Sequence, residues 1–282
     1  MSQILEVIER LSERPYRTNF VLLGEPGTGK EGLGRALAHL SGATGPLVRL
    51  DVTGFPEDDA LEVLCGSGKR AGVAESADGG TILIEELSGI GPRLQAALLR
   101  LLKSGRCERR DAAAATQSLA RPGADEDQGG SGKSRRFDVR AIAMSDRDLE
   151  PEVASGRLRH DLYYRLARVV LWLPPLRERI EDVGPAAIWM GNRILEQAGV
   201  PLELMGMEEL RRASASEKSR AIALEAEAVA ALQKHAWPGN FRELEAVLER
   251  ALLLYRRTGN LGADEVARAL AAPSPPPGAR PS

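Results

Sequence analysis

The sequence predicts an α/β protein in which helices cover both faces of a parallel sheet, followed by a smaller all-helical subdomain. Up to Leu173, short apolar runs alternate with segments of helical periodicity. Continuous apolar runs of this kind are typical of strands that are buried on both faces of a parallel sheet. After Pro174-Pro175 the apolar residues follow helical periods, and no run indicates a convincing strand.

The individual elements follow from the same patterns. An amphipathic helix opens the chain, with apolar residues at helical spacing from Ile4 to Leu11. Further helices are predicted after Lys30 and from Arg93 to Leu102. The predicted strands lie at residues 19–23, 47–52, 81–84, 139–144 and 169–173.

These elements place an α/β subdomain at residues 1–182 and a helical lid at 183–272. The Pro-rich residues 273–282 predict a disordered tail. The run at 110–136 is rich in Ala, Gly, Ser and charge, which predicts a disordered loop. Within the lid, residues 205–222 read as a solvated helix or linker.

Composition excludes several classes of protein. The 282 residues are 28% charged and 43% hydrophobic, unlike a disordered chain or a membrane bundle. The net charge of −2 argues against a globally basic nucleic-acid binder. Neither a membrane span nor a signal peptide is evident, so we expect a cytoplasmic protein. Cys65 and Cys107 are expected to be ordinary thiols.

A glycine-rich loop follows the first predicted strand and opens a helix. It consists of Gly24, Glu25, Pro26, Gly27, Thr28, Gly29 and Lys30, with Glu31 next. Such a loop directs backbone N–H groups toward phosphate oxygens, and the helix N-terminus adds partial positive charge. Lys30 would reach the β- and γ-phosphates of ATP. Glu31 departs from the general pattern, which has Ser or Thr there to hold Mg²⁺.

Two acids, Glu85 and Glu86, follow the apolar strand at 81–84. Ligands of open α/β sheets bind at the carboxyl ends of the strands. An apolar strand that ends in two acids is the Walker B arrangement. In it, the first acid would hold Mg²⁺, here Glu85, directly or through water. The second, Glu86, would position and deprotonate the attacking water.

Several segments together resemble the AAA+ module of bacterial enhancer-binding proteins, the sigma-54-dependent transcription activators. The matching segments are GEPGTGKE (24–31), ADGGTILIEEL (77–87), LQAALLRLLKSGRCER (94–109), DVRAIAMSDRDL (138–149), GRLRHDLYYRLARVVLWLPPLRERIEDV (156–183) and WPGNFRELEAVLERAL (237–252). In that family the phosphate loop ends in the sequence GKE, which accounts for Glu31. The resemblance implies an AAA+ P-loop NTPase fold that binds ATP and Mg²⁺.

The resemblance also implies roles for three arginines. Arg159 and Arg165 match the arginine fingers, which reach the nucleotide of a neighbouring subunit and stabilise charge in the transition state. Arg242 matches the second sensor, which contacts phosphate from the lid. Because fingers that act in trans require a ring, the resemblance implies a homo-oligomer, usually a hexamer.

Three acids depart from the family pattern near the γ-phosphate. Glu85 replaces an Asp, Asp146 stands where the first-sensor Asn is usual, and Asp51 stands where an Asn usually holds the catalytic glutamate. An amide can donate a hydrogen bond, whereas an ionised Asp can only accept one. Carboxylates crowded beside Glu86 would repel each other, or one would take a proton. Whether this chain is an active ATPase therefore stays open.

The family's long insertion with GAFTGA, which touches sigma-54, is replaced here by the short segment 64–75. This chain would have to contact a protein partner, such as RNA polymerase or a sigma factor, without GAFTGA. No DNA-binding motif is evident, so we expect no direct sequence-specific DNA binding. Two functions remain: an ATP-driven ring that remodels a partner in transcription regulation, or a nucleotide-gated binding module with little hydrolysis.

Overall fold

The computed structural model describes residues 2–13, 17–68, 70–108, 135–255 and 259–272. The chain divides into two compact units. Unit 1 comprises residues 1–24 and 29–173, and unit 2 comprises residues 25–28 and 174–282. We expected the boundary at 182–183. It lies after Leu173, because Leu176 already belongs to the apolar core of unit 2.

Unit 1 is built on a five-stranded parallel sheet. Its strands, together with those of two short hairpins, are β1 (Phe20–Leu23), β2 (Leu47–Leu50), β3 (Gly66–Ser67), β4 (Arg70–Ala71), β5 (Thr81–Ile84), β6 (Arg106–Cys107), β7 (Arg135–Arg136), β8 (Arg140–Ser145) and β9 (Val169–Trp172). The sheet order is β2-β5-β8-β1-β9, and every neighbouring pair is parallel. All five predicted strands are confirmed.

The central strands β1, β5 and β8 are buried on both faces, as their apolar runs predict, whereas the edge strands β2 and β9 are partly exposed. Val21 and Leu23 belong to one core cluster, and Phe20 and Leu22 belong to another. The helices of unit 1 are α1 (Ser2–Glu13), α2 (Lys30–Leu40), α3 (Glu57–Cys65), α4 (Val73–Ser76), α5 (Pro92–Ser104), α6 (Glu150–Ala154) and α7 (His160–Leu166). In the described ranges no helix combines the length and apolar character needed to cross a membrane.

The expectation of two free thiols is wrong in this structure. Cys65 and Cys107 form a disulfide, with Cα atoms 5.4 Å apart. Cys65 ends α3 and leads into the β3–β4 hairpin, whereas Cys107 lies in β6, the first strand of the β6–β7 hairpin. Both side chains are buried in the same core cluster. The bond therefore ties the bases of the two hairpins together.

Part of the predicted loop at 110–136 is a strand. Arg135 and Arg136 form β7, which pairs antiparallel with β6. Residues 110–134 lie outside the described residues, as does the predicted tail at 273–282.

Unit 2 is mainly helical, but it also contains strands that the sequence does not predict. Its helices are α8 (Val183–Gln197), α9 (Met207–Arg212), α10 (Ala215–Lys218), α11 (Ala226–Gln233), α12 (Asn240–Leu254) and α13 (Ala263–Ala271). Its strands, β10 (Glu203–Gly206), β11 (Ala221–Leu224) and β12 (Asn260–Leu261), form a parallel sheet in that order. The segment 205–222, expected to be a solvated helix or linker, therefore begins and ends in buried strands. Apolar runs this short cannot be assigned to a strand or to a helix from their periodicity alone.

Candidate nucleotide site

Lys30 is the first residue of α2, directly after the glycine-rich loop that follows β1. Its Nζ donates to the carbonyl oxygen of Gly24 at 2.6 Å and to Oδ1 of Asp146 at 2.5 Å. The Lys30 side chain is only 9% exposed. A nearly buried ammonium group at a helix N-terminus is suited to bind a phosphate group.

Glu86 is held in a fixed position beside Asp146. Its backbone is left-handed, with φ at 46°, which is uncommon for a residue other than glycine. Its Oε1 accepts hydrogen bonds from the backbone N–H and hydroxyl of Ser88 and from the hydroxyl of Ser145. Its Oε2 accepts the backbone N–H of Asp146 at 3.0 Å. Strain of this kind persists where the surroundings over-determine a conformation, often at functional sites.

The sheet topology explains why these residues meet. Glu86 follows the carboxyl end of β5, Asp146 follows β8, and the loop that precedes Lys30 follows β1. These three strands are adjacent and parallel in the order β5-β8-β1. The tertiary fold thus brings together three of the residues that the sequence assigned to ATP binding or hydrolysis.

Arg49 organises a second cluster of acids. Its Nε pairs with Glu85 Oε1, its Nη2 lies 3.1 Å from Asp51 Oδ2, and its Nη1 lies 4.0 Å from Glu31 Oε1. Burial raises the pKa of Asp51, but hydrogen bonds from Thr53 and Arg49 outweigh burial and hold that pKa below its ordinary value. Asp51 therefore stays ionised. It also makes no hydrogen bond to Glu86, in contrast to the role that the resemblance implies.

The tip of the phosphate loop, residues 25–28, belongs to unit 2. Arg177 makes two hydrogen bonds to the Glu25 carboxylate, at 2.8 and 2.6 Å. Nδ2 of Asn240 donates to Glu25 Oε2 at 3.2 Å and to the carbonyl oxygen of Pro26 at 3.0 Å. Oδ1 of Asn240 accepts the N–H of Leu176 at 2.7 Å, so this fully buried amide links three segments.

Gly27 and Thr28 are held in the same way. The N–H of Phe241 donates to the carbonyl oxygen of Gly27 at 3.0 Å, and Arg179 donates to that of Thr28 at 2.7 Å. A Cβ atom on Gly27, whose φ is 78°, would lie 2.5 Å from the carbonyl oxygen of Gly239. The position therefore requires glycine.

Arg242 is exposed and lies beside Gly27. The Cγ of Arg242 would be 3.3 Å from a Gly27 Cβ. Within the described part of the chain, the Arg242 guanidinium makes no hydrogen bond or ion pair, so its donors are available to a ligand.

The two arginines that match the family's fingers make contacts away from this site. Arg159 forms two hydrogen bonds to Asp161, and Arg165 donates through Nε and Nη2 to the carbonyl oxygen of Leu102. Neither forms a hydrogen bond or ion pair with Lys30, Glu86 or Asp146 in the same chain.

Sequence reasoning missed four of these residues. Arg49 pairs with acids in unit 1, whereas Arg177, Arg179 and Asn240 hold the loop tip within unit 2. Three of them lie inside segments that carry the family resemblance, PPLRERIEDV and WPGNFREL. Their position in those segments was the available signal, but nothing local indicates which loop they contact.

The chain is similar to curated regulatory proteins. The chain is 34% identical over 264 residues to the Nif-specific regulatory protein of Azotobacter vinelandii, covering 90% of this chain and 43% of that protein. It is 36% identical over 276 residues to the anaerobic nitric oxide reductase transcription regulator NorR of Escherichia coli, covering 94% and 46%. The chain thus spans less than half the length of these curated relatives.

Solved structures show the same fold. A crystal structure of NtrX from Brucella abortus in complex with ATP has a TM-score of 0.71 and 28% identity, covering 94% of this chain and 54% of that one. An AAA+ ATPase lid domain matches residues 202–280. The Sigma-54 interaction domain matches residues 1–120 and 126–172, more than half of the chain, and the chain therefore belongs to this AAA+ family.

Proposed function

We propose that this chain binds ATP with Mg²⁺ through the loop at 24–31 and is the AAA+ module of a sigma-54-type transcription regulator. In this role it would form a ring, usually a hexamer, that remodels a protein partner in the cytoplasm. The observation that carries the proposal is the meeting of Lys30, Glu86 and Asp146 at the carboxyl ends of adjacent parallel strands. One relative is named a regulatory protein and another a transcription regulator, and both names support the biological setting.

The carboxylates that surround Arg49 are suitable ligands for Mg²⁺. Mg²⁺ is usually held by one or two carboxylates together with substrate phosphates, so a cage of protein ligands is not required. Among the described residues no group of three or more acidic, His or Cys side chains could hold a metal by itself. Glu85 would hold the ion, directly or through water, and the ion would neutralise phosphate charge.

Each residue of the site has a separate task in the proposed reaction. Lys30 exchanges its contact with Asp146 for the β- and γ-phosphates. Glu86, fixed by Ser88 and Ser145, orients water and accepts its proton. Arg242 contacts phosphate, and Arg159 and Arg165 act on the nucleotide of a neighbouring copy.

A second function is favoured by two specific contacts. Asp146 already neutralises Lys30, and the Glu86 carboxylate accepts four hydrogen bonds, from Ser88, Ser145 and Asp146. These hydrogen bonds occupy acceptor positions of the carboxylate, so fewer remain for the attacking water. Both contacts would slow hydrolysis and favour a module whose nucleotide state gates the binding of a partner.

Phosphate release at saturating Mg-ATP distinguishes the two functions. The ATP-driven ring predicts steady turnover that Glu86→Gln removes while ATP binding is retained. The gated module predicts ATP binding with almost no turnover in either protein. Lys30→Ala should weaken ATP binding by at least about 100-fold, with Lys103→Ala as the exposed control. Unchanged affinity of Lys30→Ala in calorimetry would refute both functions.

The route to the partner is also part of the proposal. The position of the family's GAFTGA insertion is taken here by the β3–β4 hairpin, whose described residues are Gly66–Ser67 and Arg70–Ala71. The segment 64–75 contains no aromatic residue to meet a sigma factor. Open-complex formation by sigma-54 holoenzyme on a pre-melted promoter should therefore not occur with this chain alone.

A further inference from the structure

A cavity of about 760 Å³ lies in unit 1, on the opposite edge of the sheet from the phosphate loop. Its lining residues include Asn19, Val139 and Arg168, which directly precede β1, β8 and β9. These strands are adjacent in the order β8-β1-β9, so their amino-terminal ends form one wall. The cavity shares no residue with the loop at 24–31.

The cavity concentrates positive charge on a chain that is acidic overall. Arg17, Arg140, Arg165 and Arg168 line it, and Asp138 is the one acid among the described residues of the lining. Nδ2 of Asn19 also lies at this edge, where it donates to the carbonyl oxygen of Arg165 at 2.9 Å. Clustered arginines beside a single acid create a positive potential that attracts anions.

Arg140 is the most unusual member of this group. Its side chain is almost fully buried, and its Nε and Nη2 donate to the hydroxyl of Thr81 at 3.1 and 2.7 Å. Its Nη1 is buried and makes no hydrogen bond in the described residues. Burial, together with the nearby charge of Arg17, lowers the pKa of Arg140 to about 10. A buried, partly unpaired cation next to another cation is unfavourable unless an anion compensates it.

Two other arginines of the cavity present unused donors. Arg165 is anchored through Nε and Nη2 to the carbonyl oxygen of Leu102, and its Nη1 makes no hydrogen bond to the described chain. Arg168 is exposed, and its guanidinium forms neither a hydrogen bond nor an ion pair within the described ranges. Arg17 is paired with Asp138 at 2.7 Å, which fixes its orientation.

We propose that this arginine cavity is a second anion site, which binds a phosphate-bearing ligand of up to nucleotide size. Guanidinium groups bind phosphate through paired hydrogen bonds, and the cavity volume lies within the range of small-molecule sites. The phosphate is that of a free ligand, so the proposal depends neither on ring formation nor on the proposed function.

The first experiment isolates the cavity from the phosphate loop. Pyrophosphate is titrated by calorimetry into the dilute full chain carrying Lys30→Ala. We expect binding to remain, and adding Arg168→Glu should weaken it by about tenfold, since a charge-assisted contact is lost and a repulsive one gained. Arg268→Glu, an equal charge change at an exposed site on α13, should alter the affinity by less than about twofold.

The second experiment tests whether Arg168 acts instead at the contact between two copies of the chain. Sedimentation of the otherwise unaltered chain, with and without an ATP analogue, is compared for Arg168→Glu and Arg268→Glu. If Arg168→Glu abolishes nucleotide-dependent association and the first experiment detects no pyrophosphate binding, the proposal is overturned, because Arg168 then serves only the contact between copies. Pyrophosphate binding that depends on Arg168 supports a free ligand. If Arg168→Glu changes neither measurement while its thermal unfolding matches that of the unaltered chain, the cavity is not a phosphate site.

Discussion

The side-chain nitrogen of Lys30 lies 2.5 Å from Oδ1 of Asp146. This ion pair joins a side chain that is 9% exposed to one that is 40% exposed, so water screens it only in part. ATP has to replace Asp146 as the partner of Lys30 and also bring its own negative charge close to that carboxylate. The pair therefore opposes nucleotide binding.

Replacing Asp146 should relieve this competition. Asp146→Asn is expected to tighten ATP binding by about fivefold, corresponding to about 1 kcal/mol, and to raise phosphate release. Asp51→Asn is the matched control. Because Asp51 pairs with Arg49 and not with Lys30, it should change ATP affinity by less than about twofold. Slower turnover of Asp146→Asn would mean that this acid serves the chemistry.

Arg49 should compete with Mg²⁺ for the acids around it. It pairs with Glu85 and Asp51, the former being the carboxylate proposed to hold the metal. Arg49→Ala is expected to lower the Mg²⁺ concentration needed for half-maximal ATP binding by about threefold. Arg93→Ala, which breaks an exposed pair with Asp58, is the control. An increased Mg²⁺ requirement in Arg49→Ala would contradict this account.

Asn240 should be essential to the stability of unit 2. Its amide makes hydrogen bonds to Leu176, Glu25 and Pro26, and its φ of 51° suits asparagine or glycine. Asn240→Ala is expected to lower the free energy of unfolding by about 3 kcal/mol. Asn240→Gly loses the same hydrogen bonds without backbone strain, so it should be about 1 kcal/mol less destabilised. Denaturant unfolding of both variants measures the two contributions, and equal losses would exclude strain as a cause.

Arg159 should matter only where copies of the chain meet. In the single chain its guanidinium pairs with Asp161, and this pair does not involve the residues proposed to bind ATP. ATP analogues should promote association, and Arg159→Ala should weaken that effect while leaving ATP affinity unchanged. Sedimentation with and without the analogue tests this, with Arg93→Ala as the control. A chain that stays monomeric at high concentration with bound analogue would remove the trans-acting role.

The disulfide should stabilise unit 1. It closes a loop with a sequence separation of 42, for which the loop-entropy estimate is about 4 kcal/mol at most. Adding a reductant should therefore lower the free energy of unfolding by about 2 to 4 kcal/mol. The double variant Cys65→Ala with Cys107→Ala should be insensitive to reductant. Two titratable thiols in the unfolded, unreduced protein would show that the bond does not form in solution.

The sequence by itself determined the central sheet, the phosphate loop and the acids that face it. Strands β1 and β5 are almost wholly apolar, β8 has an apolar centre, and each strand is followed at once by residues of the site. Strand pattern and loop chemistry are both local properties, so a single chain reveals them. Parallel pairing then requires these strand ends to lie at one edge, which is why Lys30 and Glu86 could be assigned together.

Tertiary structure alone decided which distant groups meet. Asn240 reaches Glu25 across 215 positions, and Cys65 reaches Cys107 across 42. The arginine cavity assembles because β8, β1 and β9 are neighbours in the sheet but not in the sequence. The short strands of unit 2 escaped prediction for a related reason. Segments of only two to four residues become strands only when a partner strand supplies hydrogen bonds, and that partner lies far away along the chain.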